Sequence, residues 1–351
     1  MDIREARADD NLELQELQAT CPQGTTLVVS TVNTPDFFAR VKVYEDFNVY
    51  VACENNRIIA SAACAVRNAI VDGKVTKIGH GFQAFVDPEY RGRRIAGQLY
   101  QLREDYMQQH GAVLAYSLIM EGNTPSMRHV TRRGFKLHRT MVMPSVMVYK
   151  EMPVKSRAIV RAMTQEDLAV VVNLINETWH DYESHEQMTA ESFVSLIARM
   201  PAYNYENVIV LEENNRIEAC IGFWDWSQIM QITMKALSPK MKVMNLILDI
   251  ARIFRPLPQG PKVGDVLKQA ALTPIGFRNS DHLTILLKNI NNQLLPLGIQ
   301  QIFCLCEKEH PLLKSLKEFI HIDTAMHIYV KPLQDNVSLV NKPLFIDGLD
   351  L

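Results

Sequence analysis

Phe85-Val-Asp-Pro-Glu-Tyr-Arg-Gly-Arg-Arg-Ile-Ala-Gly-Gln-Leu-Tyr100 decides how this chain is read. An apolar run from Phe82 to Val86 stops at Asp87-Pro88, a short turn of Arg and Gly follows, and a helix is predicted from Ile95. Ile95, Leu99, Leu102 and Tyr106 recur at steps of four, three and four, which gives that helix one apolar face, and Gly111 stops it. The order strand, turn, helix leaves unpaired backbone N–H groups at the helix N-terminus, beside Arg91, Arg93 and Arg94. Such a turn suits a phosphate, because free N–H groups and the helix dipole both favour an anion and Gly92 lets the backbone come close. The same residues also describe an ordinary exposed basic turn, since a short Gly motif carries little information alone.

A second motif separates the two readings. Arg91 to Ala96 resembles the Arg/Gln-x-x-Gly-x-Gly/Ala pyrophosphate loop of the GCN5-related N-acetyltransferases, the GNAT superfamily, and Val86-Asp-Pro-Glu-Tyr-Arg91 resembles the junction that leads into it. Downstream, Asn123-Thr-Pro-Ser-Met-Arg-His-Val-Thr-Arg-Arg-Gly-Phe135 resembles the later signature of the family, an Asn, a helix, then Gly-Phe. The two stand in the family's order. Arg94 departs from the pattern by occupying the place of a second Gly, and is expected to have helical backbone with its side chain outward. Val130, four residues before Gly134, stands where many members carry a Tyr that acts as general acid, so that role has no holder there.

Composition frames this reading. A length of 351 residues favours about two domains, and 47% hydrophobic with 22% charged residues describes a soluble globular chain. The net charge of -2 gives no global pull towards nucleic acid or anionic membranes. No run approaches the ~18 apolar residues of a membrane span, and Met-Asp-Ile-Arg-Glu-Ala-Arg is not an apolar signal, so a cytoplasmic location is expected. Six Cys in such a length are not a disulfide framework. Cys53, Cys64, Cys220, Cys304 and Cys306 sit in apolar strand-like runs and read as buried free thiols, and no partner set for a metal accompanies them.

The chain repeats itself. Asn48-Val-Tyr-Val-Ala-Cys-Glu-Asn-Asn-Arg-Ile58 is echoed by Asn207-Val-Ile-Val-Leu-Glu-Glu-Asn-Asn-Arg-Ile217, each a strand, an Asn-Asn turn and a strand. Ile3-Arg-Glu-Ala-Arg-Ala-Asp-Asp10 is echoed by Val160-Arg-Ala-Met-Thr-Gln-Glu-Asp167. The offsets nearly agree: 48 to 207 is 159, and 3 to 160 is 157. Two echoes in register argue for a duplicated domain. The fold class expected is α/β, a mixed α+β sheet, as tandem acyl-CoA N-acyltransferase-like folds over 1–152 and 158–351. In the first copy strands are predicted near 2–6, 48–54, 57–70, 75–86, 112–119 and 140–150, and helices near 9–20, 34–44, 95–110 and 124–133.

In the second copy the counterpart of the decisive stretch is Ala271-Leu-Thr-Pro-Ile-Gly-Phe-Arg-Asn-Ser-Asp-His-Leu283. It lacks the loop, and Ser280 or Asp281 is expected to cap a helix there, an acidic cap that disfavours pyrophosphate. Only the first copy is therefore expected to bind CoA. Residues 235–262 carry six cations against Asp249, or +5, and read as a solvated helix face with a Pro-rich loop.

The resemblance implies acetyl transfer from acetyl-CoA to a primary amine, small or peptidic, by direct attack in a ternary complex, with no nucleic-acid, membrane or metal partner. It implies that acetyl-CoA is held by Phe85, Val86, Arg91, Gly92, Arg93, Arg94, Ile95, Ala96 and Gly97, by the backbone of Leu118 and Ile119, and by Asn123 and Ser126. A backbone N–H of the strand ending at Val86 meets the oxyanion. For proton transfer the candidates are His80, Glu121 and Tyr116, with His129 as a further base. Of these His80 alone lies within the strand Lys77–Val86 with a pKa near neutrality, and Gly79 and Gly81 beside it suggest a bulge and open space. The run from Trp179 to His185 is a further candidate for contacting the acceptor. Two other readings keep the fold: a different acyl-CoA as donor, or a non-catalytic acyl-CoA-binding, regulatory protein.

Overall fold

The computed structural model describes every residue except 336 and 338. The first half runs β1 (Asp2–Glu5), α1 (Asn11–Ala19), β2 (Leu27–Asn33), β3 (Asp46–Glu54), β4 (Arg57–Val71) and β5 (Lys74–Val86). It continues with α2 (Ile95–Gln109), β6 (Ala112–Met120), α3 (Thr124–Arg132) and β7 (Lys136–Met147). The second half opens with β8 (Ile159–Ala162), α4 (Leu168–Trp179), α5 (Ala190–Arg199), β9 (Val208–Glu213) and β10 (Arg216–Asp225). Then come β11 (Met230–Leu237), α6 (Pro239–Ala251), β12 (Val266–Leu267), β13 (Gln269–Phe277), α7 (Asp281–Leu294), β14 (Gln301–Phe303), α8 (Pro311–Ser315) and β15 (His321–Pro332).

Twelve strands form one mixed sheet in the order β1-β3-β4-β5-β6-β15-β7-β14-β13-β10-β9-β8. Read from either end, each half contributes its early strands outermost. The last strands are exchanged: β15 pairs with β6 of the first half, and β7 pairs with β14 of the second. β7 and β15 pair with each other at the centre. A cut between 152 and 158 therefore separates a repeated order of elements while running through a continuous sheet. The echoed Asn-Asn pairs do turn two hairpins. Asn55 and Asn56, like Asn214 and Asn215, have positive φ at both positions, as a two-residue hairpin turn of the favoured hand requires.

The predicted helix over 34–44 is absent. Two short 3-10 turns, Phe37–Ala39 and Val41–Val43, take its place after a cis Thr34–Pro35 bond. Asp36 caps the first by accepting from the Phe38 N–H, and Phe37, Phe38 and Val41 are buried in the main core, so this segment packs rather than stacks on a substrate. β2, which the sequence reading did not include, leaves the main sheet to pair with β11 and join β12 in a three-stranded sheet. Helix α2 buries Ile95, Leu99, Arg103 and Met107, strict steps of four. Arg103 thus takes the inward place expected of Leu102, for a reason that lies in the site. The cysteines are free thiols, five of them buried and Cys53 half-buried.

Candidate active site

β5 and β6 are parallel neighbours only from Lys77–His80 against Ala112–Tyr116. Beyond that point β5 stays with β4, while β6 turns to β15. The strands therefore part, leaving a gap between Gly81–Val86 and Ser117–Met120. Its inner end is tied where Ser117 Oγ donates to the Gly81 carbonyl at 3.0 Å. Arg103 reaches in from α2, donating to the carbonyls of Ala63 and Phe82 at 3.3 and 3.4 Å. A Cβ on Gly81 would lie 2.9 Å from Arg103, and one on Gly79 would lie 2.5 Å from the Met107 sulfur. The two glycines thus admit α2 and make no open space beside His80, contrary to the sequence expectation. The bulge lies further on, at the register shift facing Ser61 and Ala63, where Gln83 has φ 46°.

Backbone groups facing the gap follow from alternation. The Glu121 N–H donates to the Ala325 carbonyl of β15 at 2.9 Å. Residues two apart on a strand share a side, so Ile119 also turns its backbone to β15, whereas Leu118 and Met120 turn theirs to the gap. Of the expected pair, Leu118 alone offers backbone to a ligand there. Likewise the Asp87 N–H bonds the Ile59 carbonyl at 2.9 Å, which directs the Val86 backbone away from β4.

At the mouth of the gap stands the decisive turn. Buried Asp87 accepts from the Glu89 N–H at 3.0 Å and pairs with Arg57 at 2.9 Å, which fixes where the strand ends. Gly92 has φ +84°, and a Cβ there would meet nothing within 4 Å. The N–H groups of Gly92, Arg93 and Arg94 donate to no backbone acceptor among the described residues. Ile95, buried, anchors the first turn of α2 behind them. Arg94 itself adopts φ 62°, ψ 13°, the left-handed conformation that a Gly would take, rather than the expected helical one. Holding a non-Gly residue there costs ~1–2 kcal/mol, so the turn keeps its shape against the preference of its sequence. Arg91, Arg93 and Arg94 are all exposed around it. Asn123 and Ser126 are joined as the cap of α3, the Asn123 carbonyl oxygen accepting from the Ser126 N–H at 3.4 Å.

Deep in the gap the sequence candidates meet residues that it did not reveal. The His80 ring stacks between Tyr116, at 4.6 Å and 3°, and Phe82, at 4.7 Å and 20°. Tyr44 Oη donates to Asp350 Oδ1 at 2.6 Å and lies 3.3 Å from His80 Nδ1. Since Tyr44 gives its hydrogen to the carboxylate, neutral His80 carries its proton on Nδ1, facing the Tyr44 oxygen. Arg67 Nη2 meets Asp350 Oδ2 at 3.3 Å and Ser184 Oγ at 3.1 Å, and its Nε donates to Tyr116 Oη at 3.3 Å. Arg40, half-buried, donates to the Asp350 carbonyl at 3.2 Å.

Protonation follows from this burial. Desolvation, aided by Arg40, Arg67 and Arg103, brings His80 down to about 3 despite the neighbouring Asp350. A group so weakly basic cannot strip an ammonium at neutral pH, which corrects its expected role as base. Burial pushes the Tyr44 and Tyr116 phenols well above the ordinary value, so both stay protonated. Burial works against the Asp350 carboxylate too, but Arg67, His80 and the tyrosine hydroxyls outweigh it and leave it below its usual range. Glu186 goes the other way: burial raises it, only partly countered by Arg67, and Asp350 raises it further. Glu121 is exposed in the turn after β6, and half-buried His129 is lowered by burial and by Arg103, Arg133 and Arg132.

The candidate run Trp179–His185 divides. Trp179 is core, its Nε1 bonded to the Ile275 carbonyl at 2.7 Å, and His180 is exposed. Ser184 and His185 pair with β4 of the first half through Ile70, and so bring Ser184 to Arg67, with Glu186 two residues on. Arg67 carried a faint signal, being the first charge after the uncharged run Ile58–Val66. Asp350 carried none, because its partners lie hundreds of residues away.

The second half repeats the opened pair. β13 and β14 run parallel from Gln269–Ala271 against Gln301–Phe303, and the chain after β15 then fills the opening. Phe345, Ile346, Asp347 and Gly348 pack there against Trp179, Leu272 and Cys304, leaving about 10 Å³. A Cβ on Gly348 would lie 2.6 Å from the Leu272 carbonyl oxygen. Helix α7 follows without an Arg-Gly turn. Its first N–H, that of Asp281, is met by the Asn279 side chain at 3.0 Å, not by the expected Ser280 or Asp281. The same tail that fills this opening delivers Asp350 to the first one.

Three buried histidines set the acid response. His80 is held at about 3, and His185 and His310 at about 4, burial being the largest cause in each. Unfolded, each returns to about 6.5. Between these values the unfolded chain binds protons that the fold refuses, so stability falls as pH drops from about 6.5 towards 4. Asp347, raised to about 6 by burial, opposes one of the three. The net of about two protons predicts a loss of ~3 kcal/mol per unit between pH 6 and 5. Urea unfolding at pH 7, 6 and 5 measures it, and an unchanged midpoint contradicts the burial of these rings.

Among the described residues no group of three or more His, Cys, Asp or Glu is placed to hold a metal, and no helix is long and apolar enough to cross a membrane. The sequence model of the Acetyltransferase (GNAT) family matches residues 12–135, which span α1 to the end of the turn after α3. No curated protein matches the chain by sequence. Among solved structures it is similar to the Saccharomyces cerevisiae N-myristoyltransferase with bound myristoyl-CoA, at TM-score 0.66 and 12% identity over 98% of this chain and 89% of that one. It is also similar to a GCN5-related N-acetyltransferase from Sphaerobacter thermophilus, at TM-score 0.58 and 12% identity over 96% and 97%. At that identity these likenesses speak for the fold, a mixed α/β sheet of the acyl-CoA N-acyltransferase kind. Over residues 12–135, about a third of its length, the chain is similar to the Acetyltransferase (GNAT) family.

Proposed function

We propose that the protein is an acyl-CoA-dependent N-acyltransferase that moves an acetyl group to a primary amine in a ternary complex. The observation that carries this is the gap between β5 and β6 with an anion-ready turn at its mouth. The pyrophosphate of acetyl-CoA would rest on the N–H groups of Gly92 to Ala96, with Arg91, Arg93 and Arg94 around it. The pantetheine arm would then run between Val86 and Leu118, whose backbones face the gap. The stack of Phe82, His80 and Tyr116 closes the inner end, which favours a short acyl group over a long one. With its own opening filled by residues 345–348, the second half would take no CoA.

For the chemistry, the amine must shed a proton and the thiolate must gain or tolerate one. We assign the first task to Glu186 rather than His80 or Glu121, since Glu186 is half-buried with a raised pKa and lies two residues after Ser184, which accepts from Arg67. Tyr116, kept neutral by burial and bonded to Arg67, would give a hydrogen bond to the sulfur without losing its proton, and CoA would leave as the thiolate. Asp350 would hold Tyr44, His80 and Arg67 in place. Thiol release from acetyl-CoA across a panel of primary amines and short peptides tests the reading. Glu186→Gln should lower kcat by ~10²–10⁴-fold while CoA affinity stays as in the wild type. Absence of turnover with every amine tested, alongside tight CoA binding, would favour the non-catalytic reading, and faster turnover with longer acyl-CoA would replace the acetyl assignment.

A further inference from the structure

Helix α6 is built as an insertion between β11 and β12, and it exposes the wrong face for a soluble surface. Ser238 caps it by accepting from the Met241 N–H, with Pro239 in the first turn. Asn245 donates to the Pro261 carbonyl at 2.5 Å, so the Pro-rich return loop is tied back onto the helix. Gly260 fits beneath it because a Cβ there would lie 2.2 Å from the Asn245 side chain. The helix is therefore a fixed part of the surface. Met241, Asn245 and Leu248, at helical spacing, form its half-buried inner side. Opposite them, Val243, Ile247 and Ile250 lie within about 60° of one another and all face solvent. Leu246 widens this face, and Ile253 and Phe254 extend it past the helix end at 78% and 84% exposure. The helix face that the sequence reading took as solvated is exposed, no side chain of this helix being buried, but it is apolar.

Charge indicates what covers it. Lys235, Lys240, Lys242, Arg252, Arg255 and Lys262 are all exposed in this segment, against Asp249 alone, which pairs with Arg252 at 3.7 Å. Two copies of this chain meeting through the face would bring their like charges together. An anionic bilayer answers both features at once. Apolar side chains enter the headgroup boundary while the cations meet lipid phosphates and carboxylates. The chain's net charge of -2 does not bear on this, since the field acts locally, within about a Debye length. We propose that α6 and its return loop form a docking surface for anionic membrane, lying in the interface rather than crossing it.

Flotation of the full chain with vesicles tests this, using phosphatidylcholine alone and phosphatidylcholine mixed with phosphatidylserine. Binding is expected to the mixed vesicles only, and to weaken as salt is raised. Ile253→Ser/Phe254→Ser should reduce it roughly tenfold or more by removing the apolar anchor. Lys240→Glu/Lys242→Glu should reduce it by roughly a hundredfold by reversing two cations. Both pairs are exposed, and unchanged circular dichroism and acetyl-CoA affinity establish that the variants fold. No binding, equal binding to both vesicles, or wild-type binding by the variants overturns the proposal. So does a concentration-dependent dimer in sedimentation that Phe254→Ser makes monomeric and that vesicles leave intact, which would make the face a contact between copies.

Discussion

Gly92→Asp is expected to lower the affinity for CoA about a hundredfold or more while the protein still folds. Space is not the reason, since a Cβ at this position meets no atom within 4 Å. Two other effects act. The residue has φ +84°, so any side chain strains the turn by ~1–2 kcal/mol. More important, the carboxylate would stand where a pyrophosphate must rest. One like-charge pair at about 5 Å, at an effective dielectric of about 20, costs ~3 kcal/mol. Gly92→Ala separates the two effects, carrying the strain without the charge, and should bind far more tightly than the Asp variant. Equal affinities for wild type and Gly92→Asp, measured by calorimetry, would remove the phosphate from this turn.

Asp350→Asn is expected to destabilise the fold by ~3 kcal/mol and to impair turnover. The carboxylate is 2% exposed and faces Arg67, whose side chain is 12% exposed. Removing one partner of a buried pair leaves an uncompensated charge, at a typical cost of ~3–5 kcal/mol. Ser184 and Tyr116 also accept from Arg67, which places the estimate at the low end. Asp347, three residues earlier, provides the contrast. Burial raises its pKa to about 6, so the fold holds it as a strained anion at neutral pH. Asn can still accept from the Leu349 N–H that now bonds Asp347 at 2.9 Å. Asp347→Asn should therefore be neutral or stabilising at pH 8. Urea midpoints for the two variants side by side decide the matter; equal losses would contradict the assigned electrostatics.

What could be read in the sequence was local. The strand, turn and helix from Phe82 to Gly111 are encoded by neighbours, as are the Asn-Asn hairpins and the Asn123 cap. The polar cluster deep in the gap was not readable in this way. Arg40, Arg67, Ser184 and Asp350 converge from four separate segments, and only the exchange of β7 and β15 and the returning tail bring them together. The protonation state of His80 likewise depends on burial by distant partners. A residue type with a pKa near neutrality suggested a base, and its surroundings make it a neutral wall of the gap. In α6, apolar residues occur around much of the helix, so periodicity does not reveal which side faces solvent. β2 was legible in principle, as Leu27-Val-Val-Ser-Thr-Val-Asn33 is rich in β-branched residues, although its partner β11 lies some two hundred residues away.

The exchange of last strands also bears on how the halves act. β6 borders the gap on one side and depends on β15 for its other edge. The first half, although it contains the whole phosphate turn, therefore lacks both that edge and Asp350 when taken alone. On the proposed reading one site is supported by both halves, and the second opening is occupied by the chain that brings Asp350 to the first.

Calorimetric titration of the intact protein with acetyl-CoA tests this account most directly. It predicts a stoichiometry near one per chain, with the affinity lowered about a hundredfold or more by Gly92→Asp. Two sites per chain would contradict the filled second opening, and no binding would contradict the gap and turn as a site for CoA.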